Sequence, residues 1–433
     1  MSPKVAFTTL GCRLNQAESD SMAEDLASHG LRSAAPGDAP DVIVVNTCTV
    51  TREATKASRM AIRRAIKSHP EAKVVVIGCY AVSNPQEIEA IDGVDVILGN
   101  EAKDSLADVL GSQRPTAPLL QIGGLGREPA PVQPRVRANL KLQTGCDEWC
   151  SFCIIPTTRG PLKSYDPDDL VREAEARVRA GARELVLTGV HLGKYGYDRG
   201  EDERDLVALM KLFLRIEGVW RVRLSSILSR HLTSELIELL AIEPRMCRYL
   251  HVPLQAGDDE ILRAMNRPYD VAEYTTAIAR VTDAIPDIAL ATDIIVGFPG
   301  ESEDAFNETV NVVEKIGFSK LHVFRFSPRP DTAADRMTDD VPGNIKRERS
   351  KRLIAAGNAI RSRFLRAHIG KRLEVLVEDE REIDGTTVCS GQTDDYVRVW
   401  FEGEGLLGAM VSVMGERTRS NGIGGKFLEV LRR

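Results

Sequence analysis

The feature that most constrains this chain of 433 residues is a Cys-x3-Cys-x2-Cys cluster, formed by Cys146, Cys150 and Cys153. Three thiolates at this spacing can hold three irons of a four-iron cube and leave the fourth iron open. Bacterial ferredoxins use a Cys-x2-Cys-x2-Cys run and a further cysteine, which together close every iron. The open iron predicts a cluster that binds a small molecule.

A structural zinc site is the alternative interpretation of these three cysteines. Zinc is usually held by four ligands that come as two close pairs. No second close pair of cysteines follows in the sequence. The spacing therefore favours an iron–sulfur cluster over zinc.

Composition limits where the chain works and what it contacts. The net charge is −6, so no global basic character indicates a nucleic-acid partner, and any RNA contact must use local basic patches. No apolar run approaches the ~18 residues that cross a membrane, and the amino terminus has no signal-peptide core. Eight cysteines without a secretory signal favour a reducing compartment. We therefore expect a cytoplasmic protein with no membrane contact.

The amino-terminal region alternates strands and helices, which predicts a parallel sheet with crossover helices. The predicted strands are Val5–Leu10, Val42–Asn46 and Lys73–Ile77. Cys12, Cys48 and Cys79 each come one or two residues after such a strand. Because parallel strands end at the same edge of a sheet, this topology predicts a second site with three thiolates. The alternative is three unrelated buried cysteines.

The central region predicts an open, partial (β/α)6 barrel. Six strand–helix units are expected, with strands at Asn139–Leu142, Glu184–Leu187, Val222–Leu224, Tyr249–Val252, Ile288–Val296 and Lys320–Phe326. Barrel active sites lie at the carboxyl ends of the strands, and the Cys146–Cys153 loop follows the first strand. Polar or glycine-rich runs follow the later strands, which places several candidate binding loops on one rim.

The last region reads as five short alternating strands, typical of a small antiparallel β-barrel. Such barrels bind nucleic acid through basic grooves and aromatic platforms, for which Tyr396 and Trp400 are candidates, with core packing as the alternative. Cys247 and Cys389 are interpreted as packed thiols. Basic side chains recur on one face of the helix after Cys48, either as a solvated face or as a phosphate contact: Arg52, Lys56, Arg59 and Arg63.

The spacing of Cys146, Cys150 and Cys153 resembles that of the radical S-adenosylmethionine enzymes. The resemblance implies that the open iron chelates S-adenosylmethionine, and that one electron from the cluster then releases a 5′-deoxyadenosyl radical. Phe152 matches the aromatic position that packs beside the adenine. By the same resemblance, Thr188 and Gly189 line the methionine end of the cofactor. Ser225 and Gln255 lie toward its ribose, and Val296 lies toward its adenine.

Further motifs look like those of the methylthiotransferases, a branch of these enzymes that has an auxiliary cluster. They are TLGCRLNQAESD, NTCTVTREATKASR, GCYAVSNPQEI, ELVLTGVHLGKYG, RVRLSS, HVPLQAGDDEILRAMNR, ATDIIVGFPGE and LHVFRFSPRPDT. The resemblance maps the auxiliary ligands onto Cys12, Cys48 and Cys79. Asn15 and Asn46 are expected to shape the loops or support the cluster. Leu228 and Ser229 depart from the family pattern, as do Lys163 and Asp331, where Arg and Gly are commoner.

The resemblance also implies a domain order and a reaction. Residues 1–112 form the auxiliary-cluster domain, 113–135 a linker, 136–365 the radical core and 366–433 an OB-like barrel similar to the TRAM domain. Two [4Fe-4S] clusters and S-adenosylmethionine would act on tRNA at the anticodon stem-loop, with electrons from a donor such as flavodoxin or ferredoxin. One S-adenosylmethionine would methylate the sulfur that the auxiliary cluster carries, and another would form the radical.

The run Arg13-Leu14-Asn15 after the first cysteine most resembles the branch that methylthiolates carbon 2 of N6-threonylcarbamoyladenosine. Methylthiolation of N6-isopentenyladenosine in tRNA is the alternative reaction. A non-catalytic iron–sulfur protein, or a zinc-dependent RNA-binding protein, is the alternative class.

Overall fold

The computed structural model describes residues 3–35, 37–112, 135–200 and 204–433. The described chain separates into two compact units. The first unit contains the amino-terminal residues to 112, joined by Thr144–Glu148 and Cys153–Lys163, and the second contains the remainder. The expected linker at 113–135 lies outside the described residues except for Arg135. None of the helices in the described ranges combines the length and apolar character needed to cross a bilayer.

The first unit is built on a five-stranded parallel sheet in the order β2-β1-β3-β4-β5. Its strands are β1 (Lys4–Thr9), β2 (Arg32–Ser33), β3 (Val42–Thr47), β4 (Lys73–Gly78) and β5 (Val96–Leu98). Its helices are α1 (Arg13–Ser28), α2 (Arg52–Ser68), α3 (Cys79–Ser83), α4 (Pro85–Glu89) and α5 (Leu106–Ser112). The predicted parallel sheet is confirmed.

Successive apolar side chains of the central strands point to opposite faces of the sheet, and helices cover both faces. Val45 packs in one core with Ile62 of α2, whereas its neighbour Val44 packs on the other face with Met22 of α1 and Leu106 of α5. Strands buried on both faces read as nearly continuous apolar runs, which is how β3 and β4 appear in the sequence.

The central part of the second unit contains six parallel strands in chain order. They are β6 (Arg137–Lys141), β9 (Glu184–Thr188), β10 (Arg221–Leu224), β11 (Tyr249–His251), β12 (Ala289–Val296) and β13 (Lys320–Arg325), and two further short strands are β7 (Gln143–Thr144) and β8 (Lys163–Ser164). The six parallel strands form two three-stranded sheets, β6-β9-β10 and β11-β12-β13, and β7 pairs with β8. Parallel bridges join the sheets at Val222–Met246 and Ser226–His251. This confirms the partial barrel.

Helices follow the strands on the outside of this barrel. In the second unit they are α7 (Pro167–Arg179), α8 (Arg204–Phe213), α9 (Ser234–Ile242), α10 (Asp259–Ala264), α11 (Val271–Ala284), α12 (Glu303–Ile316) and α13 (Gly343–Arg366); the short α6 (Ile155–Arg159) belongs to the first unit. Side chains that accept backbone N–H groups begin many of them, as Asp166 does for α7 and Ser302 does for α12. Asp270 and Glu273 form a capping box at α11.

The carboxyl-terminal part is a closed barrel of five strands in the order β14-β15-β16-β18-β17. The strands are β14 (Arg372–Ile383), β15 (Thr386–Gln392), β16 (Arg398–Glu402), β17 (Met410–Arg419) and β18 (Gly422–Arg432). Four of the five pairings are antiparallel, as expected, and β16 pairs with β18 in parallel. Closure removes free strand edges.

A buried ion network joins this closed barrel to the strands of the partial barrel. Glu184, whose side chain is fully buried, accepts hydrogen bonds from Arg137 at 2.8 Å and Arg223 at 2.7 Å. Arg223 also donates to the backbone oxygens of Thr393 and Asp394. Burial opposes ionisation of Glu184, but the two guanidinium groups outweigh it and lower the pKa of the carboxyl group. The network therefore fixes the closed barrel against the strand ends that lie away from the cysteine loop.

Tyr396 takes part in this junction. Its ring lies 4.8 Å from that of Tyr249, and the Arg223 guanidinium lies 4.7 Å from the ring centre. Of the two aromatic residues suggested as stacking platforms, Tyr396 is thus occupied by packing within the unit. Trp400 is half-buried, with Arg419 5.5 Å from its ring.

Candidate active site

The first cysteine triplet lies at the carboxyl edge of the parallel sheet in the first unit. Cys12 precedes α1, Cys48 follows β3 and Cys79 begins α3 directly after β4. Cys48 and Cys79 are buried, whereas Cys12 is exposed. The sheet therefore brings together three residues that are 36 and 31 positions apart in the sequence. We call Cys12, Cys48 and Cys79 the auxiliary triplet.

Glycines before two of these cysteines allow a close approach of the backbone. Gly11 has φ +95°, and a Cβ there would lie 2.7 Å from the Cys48 sulfur. Gly78 has φ +108°, and a Cβ there would lie 2.5 Å from the Thr47 carbonyl oxygen. A side chain at either position would push against the loops that carry the thiols, so glycine is required by both space and conformation.

Two buried asparagines hold the loops of the auxiliary triplet in place. The Asn15 amide donates to the carbonyl oxygens of Leu10 at 2.7 Å and Thr47 at 3.0 Å. The Asn46 amide donates to the Asn15 carbonyl oxygen at 2.9 Å. Both side chains thus bond the backbone around the first two strand ends. These contacts fit the expectation that the two asparagines shape the loops around the cysteines.

Ser58 of α2 fixes the backbone of Cys48 from the other side. The Cys48 N–H donates to the Ser58 hydroxyl oxygen at 3.1 Å, and that hydroxyl donates to the Cys48 carbonyl oxygen at 2.8 Å. Burial, with a smaller contribution from neighbouring Cys79 and Cys12, raises the pKa of the Cys48 thiol to about 11, although a backbone hydrogen bond at Val50 and the charge of Arg159 oppose the rise. Metal binding at Cys48 therefore requires release of a proton.

Among the described residues, the three sulfurs of the auxiliary triplet do not all lie within 4.8 Å of one another. In the described ranges, one group of three His, Cys, Asp or Glu has all its ligand atoms within 4.8 Å, and this is His251, Asp293 and His322. Sulfurs on one tetrahedral zinc ion would be about 4 Å apart, given zinc–sulfur bonds of ~2.3 Å. The spacing of the three thiols is therefore wider than that of sulfurs on one zinc ion.

Behind the auxiliary triplet lies a buried network of charged side chains, formed by Glu18, Lys103 and Arg159. Lys103 Nζ lies 2.5 Å from Glu18 Oε2, and Arg159 Nη1 lies 2.8 Å from Glu18 Oε1. Arg159 Nη2 also donates to Asn15 Oδ1 at 2.5 Å. All three charged side chains are at most 3% exposed. Two cations against one carboxylate leave a net positive charge in this network, and the charge of Arg159 opposes the rise in the pKa of the Cys48 thiol that burial causes.

This network reaches the segment that carries Cys153. Arg159 ends α6, which starts two residues after Cys153 and belongs to the first unit. Asn100 Nδ2 donates to the Thr158 carbonyl oxygen at 2.7 Å and lies 3.8 Å from the Cys79 sulfur. The chain after Cys153 is thus bonded directly to residues that support the auxiliary triplet.

The loop that carries the second triplet begins at a glycine in a restricted setting. Gly145 has φ +71°, and a Cβ there would lie 1.8 Å from the Pro161 carbonyl oxygen. The next residue, Cys146, donates its N–H to the Gly160 carbonyl oxygen at 3.1 Å. The Glu148 N–H points at the Cys146 sulfur from 3.4 Å. An N–H···S contact of this kind is a common support for a cluster ligand.

The middle of the same loop, Trp149–Phe152, is held within the second unit. Ser151 donates its N–H to the Met265 carbonyl oxygen at 3.0 Å and its hydroxyl to that of Ala264 at 2.8 Å. Arg267 Nη1 lies 3.0 Å from the Cys150 sulfur. The cation is oriented by the Tyr269 hydroxyl, 3.0 Å from Arg267 Nε. A guanidinium at this distance places a positive charge directly beside the Cys150 sulfur.

The residues expected to contact S-adenosylmethionine lie near the ends of the core strands. Thr188 is buried at the end of β9 and donates its hydroxyl to the Leu140 carbonyl oxygen at 2.9 Å. Gln255 has φ +73°, and its Oε1 is buried without a hydrogen-bond partner among the described residues. Ser225 donates its N–H to the Leu187 carbonyl oxygen at 3.0 Å.

Gly189, Val296 and Phe152 complete the expected set. A Cβ at Gly189 would lie 2.8 Å from Leu192. Val296, at the end of β12, is fully buried in the hydrophobic core. Phe152 is partly buried and packs against the same core. The proposed contacts of these residues with S-adenosylmethionine stay predictions.

Two cysteines outside the triplets and one residue that departs from the family pattern also have clear structural settings. Cys247 and Cys389 are buried, and burial raises the pKa values of their thiols to about 12 and about 11, as expected of packed, unreactive cysteines. Asp331, where the motif commonly has glycine, has φ +67°. Aspartate tolerates this left-handed conformation better than most side chains, which explains how the substitution is accommodated.

Sequence reasoning missed several residues of the site. Glu18, Lys103, Arg159, Asn100 and Arg267 support the cysteines, but they come from distant parts of the chain. Asp293 and its hydrogen-bond partners His251 and His322 were also not identified as a group. The acidic residue Asp293 sits inside a β-branched strand, where a buried charge is rare, and this was the signal available in the sequence.

Two family models match separate regions of the chain. The family model described as the radical SAM superfamily matches residues 140–313, and the model of an uncharacterized protein family, UPF0004, matches residues 4–99. The chain is 38% identical to the threonylcarbamoyladenosine tRNA methylthiotransferase MtaB of Bacillus subtilis, over 94% of this chain and 93% of the relative.

Two further relatives have similar coverage. The MtaB protein of Aquifex aeolicus is 35% identical over 95% of this chain and 100% of the relative. The tRNA-2-methylthio-N(6)-dimethylallyladenosine synthase of Sorangium cellulosum is 34% identical over 99% of this chain and 94% of the relative. The sequences thus resemble two groups of tRNA methylthiotransferases named for different nucleosides.

Solved structures support the fold. The radical S-adenosylmethionine methyltransferase TsrM of Kitasatospora setae, with cobalamin and a [4Fe-4S] cluster bound, has a TM-score of 0.56 at 15% identity, covering 77% of each chain. The cobalamin-dependent radical enzyme OxsB has a TM-score of 0.50 at 11% identity, covering 83% of this chain and 56% of that chain.

Proposed function

Because the chain belongs to the radical S-adenosylmethionine methylthiotransferase family, we propose that it methylthiolates carbon 2 of N6-threonylcarbamoyladenosine in tRNA, next to the anticodon. The observation that carries this proposal is full-length similarity to relatives named for that activity, at 38% and 35% identity. The relative named for dimethylallyladenosine is 34% identical, which keeps that nucleoside as the second candidate.

The two cysteine triplets have the donor sets that two [4Fe-4S] clusters require. Cys146, Cys150 and Cys153 would hold the first cluster, and Cys12, Cys48 and Cys79 the second. When bound, the clusters supply the electron that cleaves S-adenosylmethionine and the sulfur that is transferred. Methylthiolation of an aromatic carbon breaks an unactivated C–H bond, a task beyond ordinary acid–base side chains.

The protein's own residues have defined tasks around these ligands. Arg267 would neutralise the thiolate of Cys150, and Lys103 and Arg159 would neutralise charge at the auxiliary triplet. Gln255 would offer its buried Oε1 to a hydroxyl of the S-adenosylmethionine ribose. Thr188 and Gly189 would form the wall beside the methionine end, with Ser225, Val296 and Phe152 nearer the nucleoside.

Basic side chains suit a tRNA substrate despite the net charge of −6. Arg52, Lys56 and Arg63 of α2 are exposed, whereas Arg59 is paired with Glu87 at 2.9 Å. The closed barrel offers Trp400 and Arg419 on its surface side. We assign phosphate contacts to the exposed cations and stacking on RNA to Trp400. A small redox protein such as flavodoxin or ferredoxin would supply the electron.

Mass spectrometry of tRNA nucleosides tests the proposed substrate. A strain without the gene is expected to accumulate N6-threonylcarbamoyladenosine and to lose its 2-methylthio derivative, while 2-methylthio-isopentenyladenosine is unchanged. Complementation with the wild-type gene should restore the derivative, and complementation with Cys150→Ala should not. Loss of the isopentenyl derivative instead would transfer the assignment to the second candidate.

A further inference from the structure

Three polar side chains on adjacent strands of the core form a compact group that the assignments above do not use. His251 Nε2 lies 3.0 Å from Asp293 Oδ1, and His322 Nδ1 lies 2.9 Å from the same oxygen. We call His251, Asp293 and His322 the His–Asp–His cluster. Their side chains are 16%, 22% and 35% exposed, respectively, so the cluster is accessible from one side.

The cluster lies on the face of the strands that is turned away from the main core. Ile294 and Val296 of β12 are fully buried in that core, so Asp293, which alternates with them, faces the opposite side. Asp293 is paired in register with His322 on β13. Below it, Ala289 and Ala291 are covered by Tyr249, Phe364 and Tyr396. The His–Asp–His cluster therefore lies next to an apolar group, formed by Ala289, Ala291 and the rings that cover them.

The surface above the cluster continues toward the strand ends with mixed character. Phe324, two residues after His322 on the same face, is 39% exposed. This face combines the Phe324 ring with the hydrogen-bonding groups of the cluster, as expected of a site for a ligand that is partly apolar and partly polar.

The hydrogen bonds of the cluster leave two imidazole nitrogens for a ligand. Burial opposes the charge of Asp293, but hydrogen bonds from His251 and His322 outweigh it and lower the pKa of the carboxyl group. The carboxylate thus takes one N–H from each ring and fixes both ring orientations. No other described residue hydrogen-bonds either ring, so His251 Nδ1 and His322 Nε2 remain to accept from or donate to a bound molecule.

We propose that the His–Asp–His cluster is the subsite for the threonylcarbamoyl arm of the substrate, with His322 as the specificity-determining residue; this rests on the function proposed above. The arm carries a carboxylate, a hydroxyl and a carbamoyl group, all of which hydrogen-bond imidazole. Asp293 is a positioning residue that orients His322. A dimethylallyl arm has only carbon and hydrogen, so it would bury the same nitrogens without partners, which is strongly unfavourable.

The test compares two tRNA substrates with one reconstituted full-length enzyme. Steady-state kinetics are measured with tRNA that carries N6-threonylcarbamoyladenosine or N6-dimethylallyladenosine, for wild type, His322→Phe and His322→Gln. His322→Phe is expected to lower kcat/KM for the threonylcarbamoyl substrate roughly 10- to 100-fold, mostly through KM, because a hydrogen bond to a charged group is lost. His322→Gln should retain part of the activity. Cleavage of S-adenosylmethionine without tRNA should be unchanged.

The matched control is His29→Phe, which removes a histidine paired with Asp25 on the surface of α1 and should change no rate. If wild type and His322→Phe prefer the threonylcarbamoyl substrate equally, the inference is wrong and the proposed function stands. If wild type prefers the dimethylallyl substrate, both are wrong. A stoichiometric divalent ion other than iron, present in wild type and lost in His322→Gln, would assign the cluster to a metal instead.

Discussion

Replacing Cys12, Cys48 and Cys79 together by alanine is expected to abolish methylthiolation while leaving cleavage of S-adenosylmethionine intact. These three thiols lie at the carboxyl ends of the amino-terminal sheet, and Cys146, Cys150 and Cys153 belong to a separate loop. If the auxiliary triplet carries the transferred sulfur, its loss removes the product but not the radical source. The measurements are 5′-deoxyadenosine release and methylthio-nucleoside formation from one anaerobic reaction.

Two comparisons make this result specific. Cys247→Ala and Cys389→Ala remove buried thiols outside both triplets and should keep both activities, provided that the proteins fold. Cys150→Ala should lose both activities because it removes a ligand of the cleaving cluster. Two results would contradict separate roles for the two triplets. The triple variant could still make the methylthio product, or it could fail to cleave S-adenosylmethionine although its Cys146–Cys153 cluster is intact.

Replacing Glu18 by Gln is expected to lower the free energy of unfolding of the first unit by about 3–5 kcal/mol, because it leaves two buried cations without their shared carboxylate. Lys103 and Arg159 both bond Glu18, and the side chains are almost completely buried. The measurement is denaturant unfolding of the apoprotein, monitored in the first unit. The same variant should incorporate less iron at the auxiliary triplet, because Arg159 also positions Asn15.

An exposed ion pair in the same unit provides the control. Arg59→Gln breaks the Arg59–Glu87 pair, whose side chains are 42% and 46% exposed, and should cost less than about 1 kcal/mol. If Glu18→Gln were no more destabilising than Arg59→Gln, the buried network would not be a structural support. If its stability fell but cluster content and activity were normal, the link from the network to the auxiliary triplet would be wrong.

The sequence was most informative where chemistry and local spacing coincide. The Cys146–Cys153 loop is contiguous, and Cys12, Cys48 and Cys79 each follow a recognisable β-branched strand. The parallel sheet, the partial barrel and the small closed barrel were also predictable, since alternation and turn residues specify them locally. The parallel pairing of β16 with β18 was not, because strand direction in a closed barrel depends on how the whole chain returns.

The supporting residues could not be predicted because their partners are remote. Lys103 is 85 residues from Glu18, and Arg159 is 141 residues from it. From the sequence alone, a single Lys or Arg such as Lys103 or Arg159 is predicted to lie on the surface, because its buried partner is not nearby in the chain. Likewise, Asp293 bonds histidines that are 42 and 29 residues away on neighbouring strands. Only the register of β11, β12 and β13 makes these three side chains one group.

The two separate cysteine triplets are expected to hold two iron–sulfur clusters. Iron and sulfide analysis with Mössbauer spectroscopy, after anaerobic reconstitution, tests this expectation most directly. Wild type is expected to contain about eight irons and eight sulfides per chain, and the Cys12, Cys48 and Cys79 triple variant about four of each. The same iron content of about four in both proteins, or stoichiometric zinc in place of iron, would contradict the account.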